Sequence, residues 1–184
     1  MTLIANALRG ASFLLFMAGA SLAYAQQAYI VEVVLFSQPG AQIVGARSPE
    51  PNWADQAVLL DSTARSDVRR IDASRHQLSD QARQLSGRGY QIVMHKAWTQ
   101  PADDGLTVAV REESQNGRNA AQGLVSLSQT AAMEADVSFW INHLTSAETE
   151  PVSELLRQTR RLRLGETHYL DHQSMGLLIK VSSN

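Results

Sequence analysis

The residues best equipped for chemistry sit near the C-terminal end, in Thr167-His168-Tyr169-Leu170-Asp171-His172. His168 and His172 are four apart with Asp171 between them. On a helix that spacing makes a metal-binding pair, and a small metal-assisted hydrolase would follow. On a strand both imidazoles still share a face, but they lie about 13 Å apart, too far to share an ion. The surrounding residues read as a strand running into a turn, so no metal is expected there. Two readings remain. Asp171 closes the turn, His172 meets a backbone carbonyl and Tyr169 is partly buried, or these side chains touch a ligand directly.

Arg157, Arg160, Arg161 and Arg163 form a basic run just upstream. It reads either as a solvated face or as an array of planar forks for carboxylates. Lys96 and Lys180 are the only lysines among 16 basic residues, which favours bidentate recognition over point charge. His95 and Trp98 flank Lys96 on one strand, and by alternation they point to opposite faces. Trp98 is either core or a stacking surface. Trp53 stands in a Pro- and Gly-rich stretch, as a plug on one core edge or as a platform for a ligand.

Other chemistries are absent from the pattern. The chain of 184 residues has no cysteine, so disulfides, thiolate nucleophiles, Cys-bound metals and a lipid-modified N-terminal Cys are excluded. Gly87-Arg88-Gly89 lacks the spacing and ending of a phosphate loop, and neither Gly-x-Ser-x-Gly nor HExxH occurs. A formal net charge of −2 argues against general nucleic-acid binding. No catalytic residue, cofactor or metal is implied, and the expected protein is not an enzyme.

Residues 1–25 read as a cleaved signal peptide. Arg9 precedes the apolar stretch 11–20, and Ala23-Tyr24-Ala25 supplies the small-x-small site, predicting cleavage before Gln26. Residues 26–184 are then expected to form a single exported domain without a membrane span.

The elements that must position these groups follow from periodicity. Residues 29–36 are β-branched and aromatic, a central strand buried on both faces. Residues 37–60 carry Pro39, Gly40, Gly45, Pro49 and Pro51 and read as a long loop. In 66–86, Val68, Ile71, Leu78, Ala82 and Leu85 recur at helical steps, with Ser66 as cap and Gly87 as stop, predicting one long helix. Residues 90–98 and 107–111 read as strands, 112–122 as a polar connection, and 124–128 with 135–141 as a strand pair. The helical reading of 130–134 stays open, and 145–150 is an acidic loop. Residues 153–184 end in a C-terminal β-hairpin turning through 171–176. The predicted fold is α+β: a mostly antiparallel sheet with the long helix packed on it.

Four segments carry a family resemblance: YIVEVVLF at 29–36, Glu50-Pro51-Asn52-Trp53, GYQIVMHKAWTQP at 89–101, and RRLRLGETHYLDHQSMGLLIKV at 160–181. Order and spacing resemble the CsiV-like (cell shape integrity) family of periplasmic peptidoglycan-binding proteins across nearly all of 26–184. His95-x-x-Trp98-x-Gln100, and Arg160-Arg161 followed by HYLDH, are the more specific pieces. Where the family runs from Asp-His into Pro and then an aromatic before Gly, this chain has Gln173 and Met175. The resemblance implies a non-catalytic accessory factor that binds peptidoglycan. It also implies support of wall synthesis through an outer-membrane lipoprotein activator of a class A penicillin-binding protein. Its signature positions here are Trp53, His95, Trp98, Gln100, Arg160, Arg161, His168, Tyr169, Asp171 and His172. The candidate ligand-binding set is Trp53, Trp98, Arg160, Arg161, Arg163, His168, Tyr169, Asp171 and His172. In the expected mechanism Arg160, Arg161 and Arg163 pair with stem-peptide carboxylates while Trp53 or Tyr169 stacks on sugar or alkyl surface. The rival expectation is an envelope protein-interaction scaffold with no affinity for the wall polymer.

Overall fold

The opening run has one charge in ten residues and forms β1 (Ala28–Ser37), whose side chains are buried on both faces. In the computed structural model, which describes residues 27–43, 48–114, 119–143 and 152–184, two different layers cover those faces. Val31, Val33 and Leu35 point into a core shared with a second sheet, whereas Val34 and Phe36 meet a short helix. β1 pairs antiparallel with β4 (Gln91–Pro101) on one side and β10 (Met175–Ser183) on the other. Short β3 (Arg69–Arg70) and β9 (Thr167–Asp171) complete a first sheet of order β3-β4-β1-β10-β9.

The second sheet has the order β2-β5-β6-β7-β8, built from β2 (Val58–Leu59), β5 (Thr107–Glu113), β6 (Asn119–Gln129), β7 (Met133–His143) and β8 (Val152–Leu162). All pairings are antiparallel except the brief parallel contact of β2 with β5. Trp98, Leu177 and Ile179 of the first sheet and Val125, Phe139 and Leu156 of the second meet in one continuous core. Fully burying each such side chain stabilises the fold by about 1.5–3 kcal/mol.

Among the described residues the mostly antiparallel architecture with one α-helix agrees with the sequence reading, but two parts of it need correction. Two facing sheets replace the single sheet, and 119–122, read as part of a polar connection, opens β6. Its weak strand signal comes from small residues that a neighbour requires: a Cβ on Gly123 would lie 2.3 Å from the Phe139 ring, directly across the ladder. The stretch 130–132 is the turn between β6 and β7 rather than a helix.

The long helix is also corrected. Of the stretch 66–87, only α1 (Ser79–Gly87), nine residues, is α-helical. Upstream, β3 pairs with Trp98 and Thr99, the Ile71 amide donates to the Ala97 carbonyl at 2.8 Å, and residues 73–75 form one 3-10 turn. The helical spacing misleads because its apolar residues enter two different cores. Val68 packs between the sheets, while Leu78 and Ala82 pack on the outer face of the first sheet. One helical stripe faces one surface; this segment must turn to fill both.

The C-terminal hairpin is present as β9 and β10, with the His172 amide bonded to the Met175 carbonyl at 3.1 Å. Residues 163–166 carry the chain from the second sheet to the first, helped by Gly165 at φ +80°. The expected signal segment and the acidic stretch 145–150 lie outside the described residues.

Candidate functional site

Alternation along β8 divides the arginine run. Opposite Arg157 on β7 stands Ser138, and opposite Arg161 stands Glu134, so both arginines lie on the outward face of the second sheet. Arg160 takes the other parity, and Arg163 lies beyond the strand end. Arg161 Nε is 3.8 Å from Glu134 Oε2 and Arg163 Nη1 is 3.7 Å from Glu166 Oε1, with the two arginine side chains more than 80% exposed (84% and 82%). Such loose pairs leave the guanidinium forks open to other anions.

Trp140 shares the outward face with Arg157 and Arg161. Its strand partner is Leu155, which places Arg157 on the diagonal, about 7–8 Å away along the ladder. The half-buried Trp53 of the 48–57 segment packs on Trp140 edge-to-face, with ring centroids 6.2 Å apart at 64°. Trp53 is thus both an edge plug and a partly open aromatic surface. Sequence reasoning missed Trp140. The signal was available, since Val137, Phe139 and Ile141 alternate inward and Trp140 must therefore face outward.

The remaining predicted residues gather on the first sheet and around its hairpin. Tyr169 lies on the outward face of that sheet, 48% exposed, nearly parallel to Phe36 at 6.1 Å and 13°. Its hydroxyl donates to Asp171 Oδ1 at 2.5 Å. Burial of the ring together with the Asp171 carboxylate pushes the Tyr169 phenol up to about 12. Tyr169 and Trp53 therefore occupy outer faces of opposite sheets and do not share one surface.

His168 and His172 have separate partners, as the strand reading requires. His168 Nε2 accepts the Arg163 amide at 3.0 Å. His172 Nδ1 lies 3.2 Å from the Ser174 hydroxyl, and not against a carbonyl as expected. Instead its own carbonyl accepts Gln38 Nε2 at 2.9 Å, which helps Asp171 hold the turn. Behind the turn, the Ser174 hydroxyl donates to Glu154 Oε1 at 2.6 Å and His143 Nε2 lies 2.8 Å from Glu154 Oε2. This buried chain of polar contacts ties the hairpin to β7 and β8.

Trp98 is wholly enclosed, with Nε1 donating to Gln100 Oε1 at 2.7 Å. Both side chains are fully enclosed, which leaves the Trp98 ring no surface open to a ligand. His95 faces the other way, as parity predicts, towards α1. Its Nε2 lies 2.8 Å from Oε1 of Glu32, a carboxylate that is only 2% exposed. Burial alone would raise the Glu32 carboxyl, but hydrogen bonds from His95, Leu78 and Gln77 outweigh it and hold it below its ordinary range. The His76 ring sits 4.4 Å from that of His95, and burial and its neighbour's charge push its own pKa down. The ligating atoms of Glu32, His76 and His95 all lie within 4.8 Å of one another. Beside them a shallow groove of about 470 Å³ runs between α1 and β4, lined by Ser79, Ala82, Arg83, Ser86, Ile92 and His95. Neither Glu32 nor His76 stood out in the sequence.

Among the described residues no helix is long and apolar enough to cross a membrane. No curated protein and no solved structure matches the chain. A family model described as "Peptidoglycan-binding protein, CsiV" matches residues 11–183, almost the whole sequence. The chain therefore belongs to the CsiV family of peptidoglycan-binding proteins.

Proposed function

We propose that this protein is exported, is cleaved after Ala25, and binds peptidoglycan in the periplasm by contact alone, without bond chemistry. In this reading it supports wall synthesis through an outer-membrane lipoprotein activator of a class A penicillin-binding protein. The observation that carries the binding mode is the Trp53–Trp140 aromatic step with Arg157 beside it and Arg161 further along the same face. An aromatic step supplies flat apolar surface for a sugar ring or an alkyl chain. Open guanidinium forks supply bidentate partners for the carboxylates of stem peptides. Arg160, exposed on the opposite parity of edge strand β8, and Arg163, beyond its end, extend carboxylate recognition around that edge.

The test is co-sedimentation of the purified protein with sacculi, before and after digestion of the glycan. The protein should pellet with intact sacculi and remain in the supernatant after digestion. An Arg161→Ala, Arg163→Ala double variant that pellets as well as wild type removes these two residues from carboxylate recognition. Capture of envelope proteins from wall-digested lysate, with no pelleting on sacculi, replaces wall binding by a protein-interaction scaffold.

A further inference from the structure

We propose that Glu32, His76 and His95 form a binding site for a single divalent transition-metal cation, zinc by its donor chemistry, which fastens the α1 segment to the first sheet. The three ligands come from β1, from β4 and from the residues just before α1, so only the folded chain assembles them. Their donor atoms already lie within 4.8 Å of one another. Two imidazoles and one carboxylate, with a fourth position open, are a common zinc donor set, and the mixture of N and O ligands is too soft for magnesium or calcium. Tetrahedral zinc with bonds of about 2.0–2.1 Å needs the donors closer still. Rotation of the two rings supplies that closure.

The supporting shell is already in place. Glu32 Oε2 accepts the Gln77 amide at 2.7 Å and Oε1 accepts the Leu78 amide at 2.8 Å, which fixes the carboxylate and leaves lone pairs free. Without a cation the arrangement is incomplete. One proton between His95 and Glu32 serves a single imidazole, and the second imidazole stands 4.4 Å from the first with no share in that bond. A cation replaces the proton and serves both rings. Of the three ligands, His95 lines the groove beside Ala82 and Ile92; Arg83 at its rim is ion-paired with Asp80. The inference is independent of which surface meets the wall.

The test uses the full chain, stripped with a chelator and titrated with zinc alone and with cobalt(II) alone. One zinc per chain should bind, and cobalt should develop the intense visible absorption of a four-coordinate site. At roughly a hundredfold excess of zinc over its Kd, the melting temperature should rise by about 5 °C or more. His76→Gln and His95→Gln should each weaken zinc binding at least about tenfold, whereas His168→Gln should not change it. His95 is also a packing residue, so the ring resonances of the unmutated protein give a second reading. Zinc should perturb His76 and His95 and leave His143 and His172 in place. Absence of 1:1 binding, or perturbation of His143 or His172 instead, overturns the site.

Discussion

The Glu32 carboxylate, in the middle of β1, accepts the backbone amide of Leu78 at 2.8 Å, 46 residues away, where α1 begins. Helix N-termini need an acceptor for their free amides, usually a Ser, Asp or Asn side chain at the cap. Leu78 occupies that position and cannot supply one. The sheet supplies it instead, so the helix starts where its amides reach Glu32 and not at Ser66.

Removing that acceptor leaves two amides and an imidazole without their partner in a buried place. Glu32→Ala, measured by urea denaturation in chelator, should lose about 3 kcal/mol. Glu32→Gln keeps one acceptor oxygen and should lose less. A Glu32→Ala variant as stable as wild type would show that α1 docks through Leu78 and Ala82 alone.

Gly123 and Phe139 face each other across the β6–β7 ladder, and the ring occupies the space a Cβ at 123 would need. Gly123→Ala should destabilise by about 1–3 kcal/mol through overpacking against the buried Phe139 ring. Shrinking the ring should relieve it. In a double-mutant cycle with Phe139→Leu, the two losses should therefore be less than additive. Strict additivity would locate the strain elsewhere.

Those two relationships also mark how far the sequence could be read. The strand at 28–37, the β6–β7 pair and the terminal hairpin are legible because alternation or a continuous apolar run reports local burial. The opposite facing of His95 and Trp98 is legible for the same reason. The segment 66–78 is not, since Val68 and Leu78 fall on a helical stripe yet fill cores on opposite sides of the first sheet. The β6 start is hidden because Gly123 is small for the sake of Phe139, a partner 16 positions on. His76 next to His95 and Glu32 is purely tertiary, and no spacing links 32, 76 and 95. For the candidate wall-binding face, Trp53 and the arginine run stand out by type. Their division between faces, and the exclusion of Tyr169 from that surface, need the register of β7 with β8.

The Tyr169 phenol gives a pH signature. Its folded-state pKa of about 12 exceeds the ordinary value of 10.0, so the native state holds this proton more tightly than the unfolded chain. The resulting stability is complete below pH 10 and is lost as pH rises through about 12. Denaturation curves should therefore fall more steeply with pH above 10 for wild type than for Tyr169→Phe. Parallel curves for the two proteins would mean that neither burial of the ring nor the bond to Asp171 holds this proton in solution.

Placement on opposite sheets separates the two exposed aromatics as wall contacts. Trp53→Ala removes the outer half of the aromatic step while Trp140 still covers the sheet, and should weaken sacculus binding about tenfold, equivalent to about 1.4 kcal/mol. Arg157→Ala should act in the same direction, and its effect should shrink as salt screens the carboxylate contact. Tyr169→Ala, on the far side of the molecule, should pellet like wild type. The opposite result, with Tyr169→Ala unbound and Trp53→Ala unaffected, would move the contact surface to the Phe36–Tyr169 face. The guanidiniums of β8 would then be a solvated edge, because Arg157 and Arg161 point away from that face.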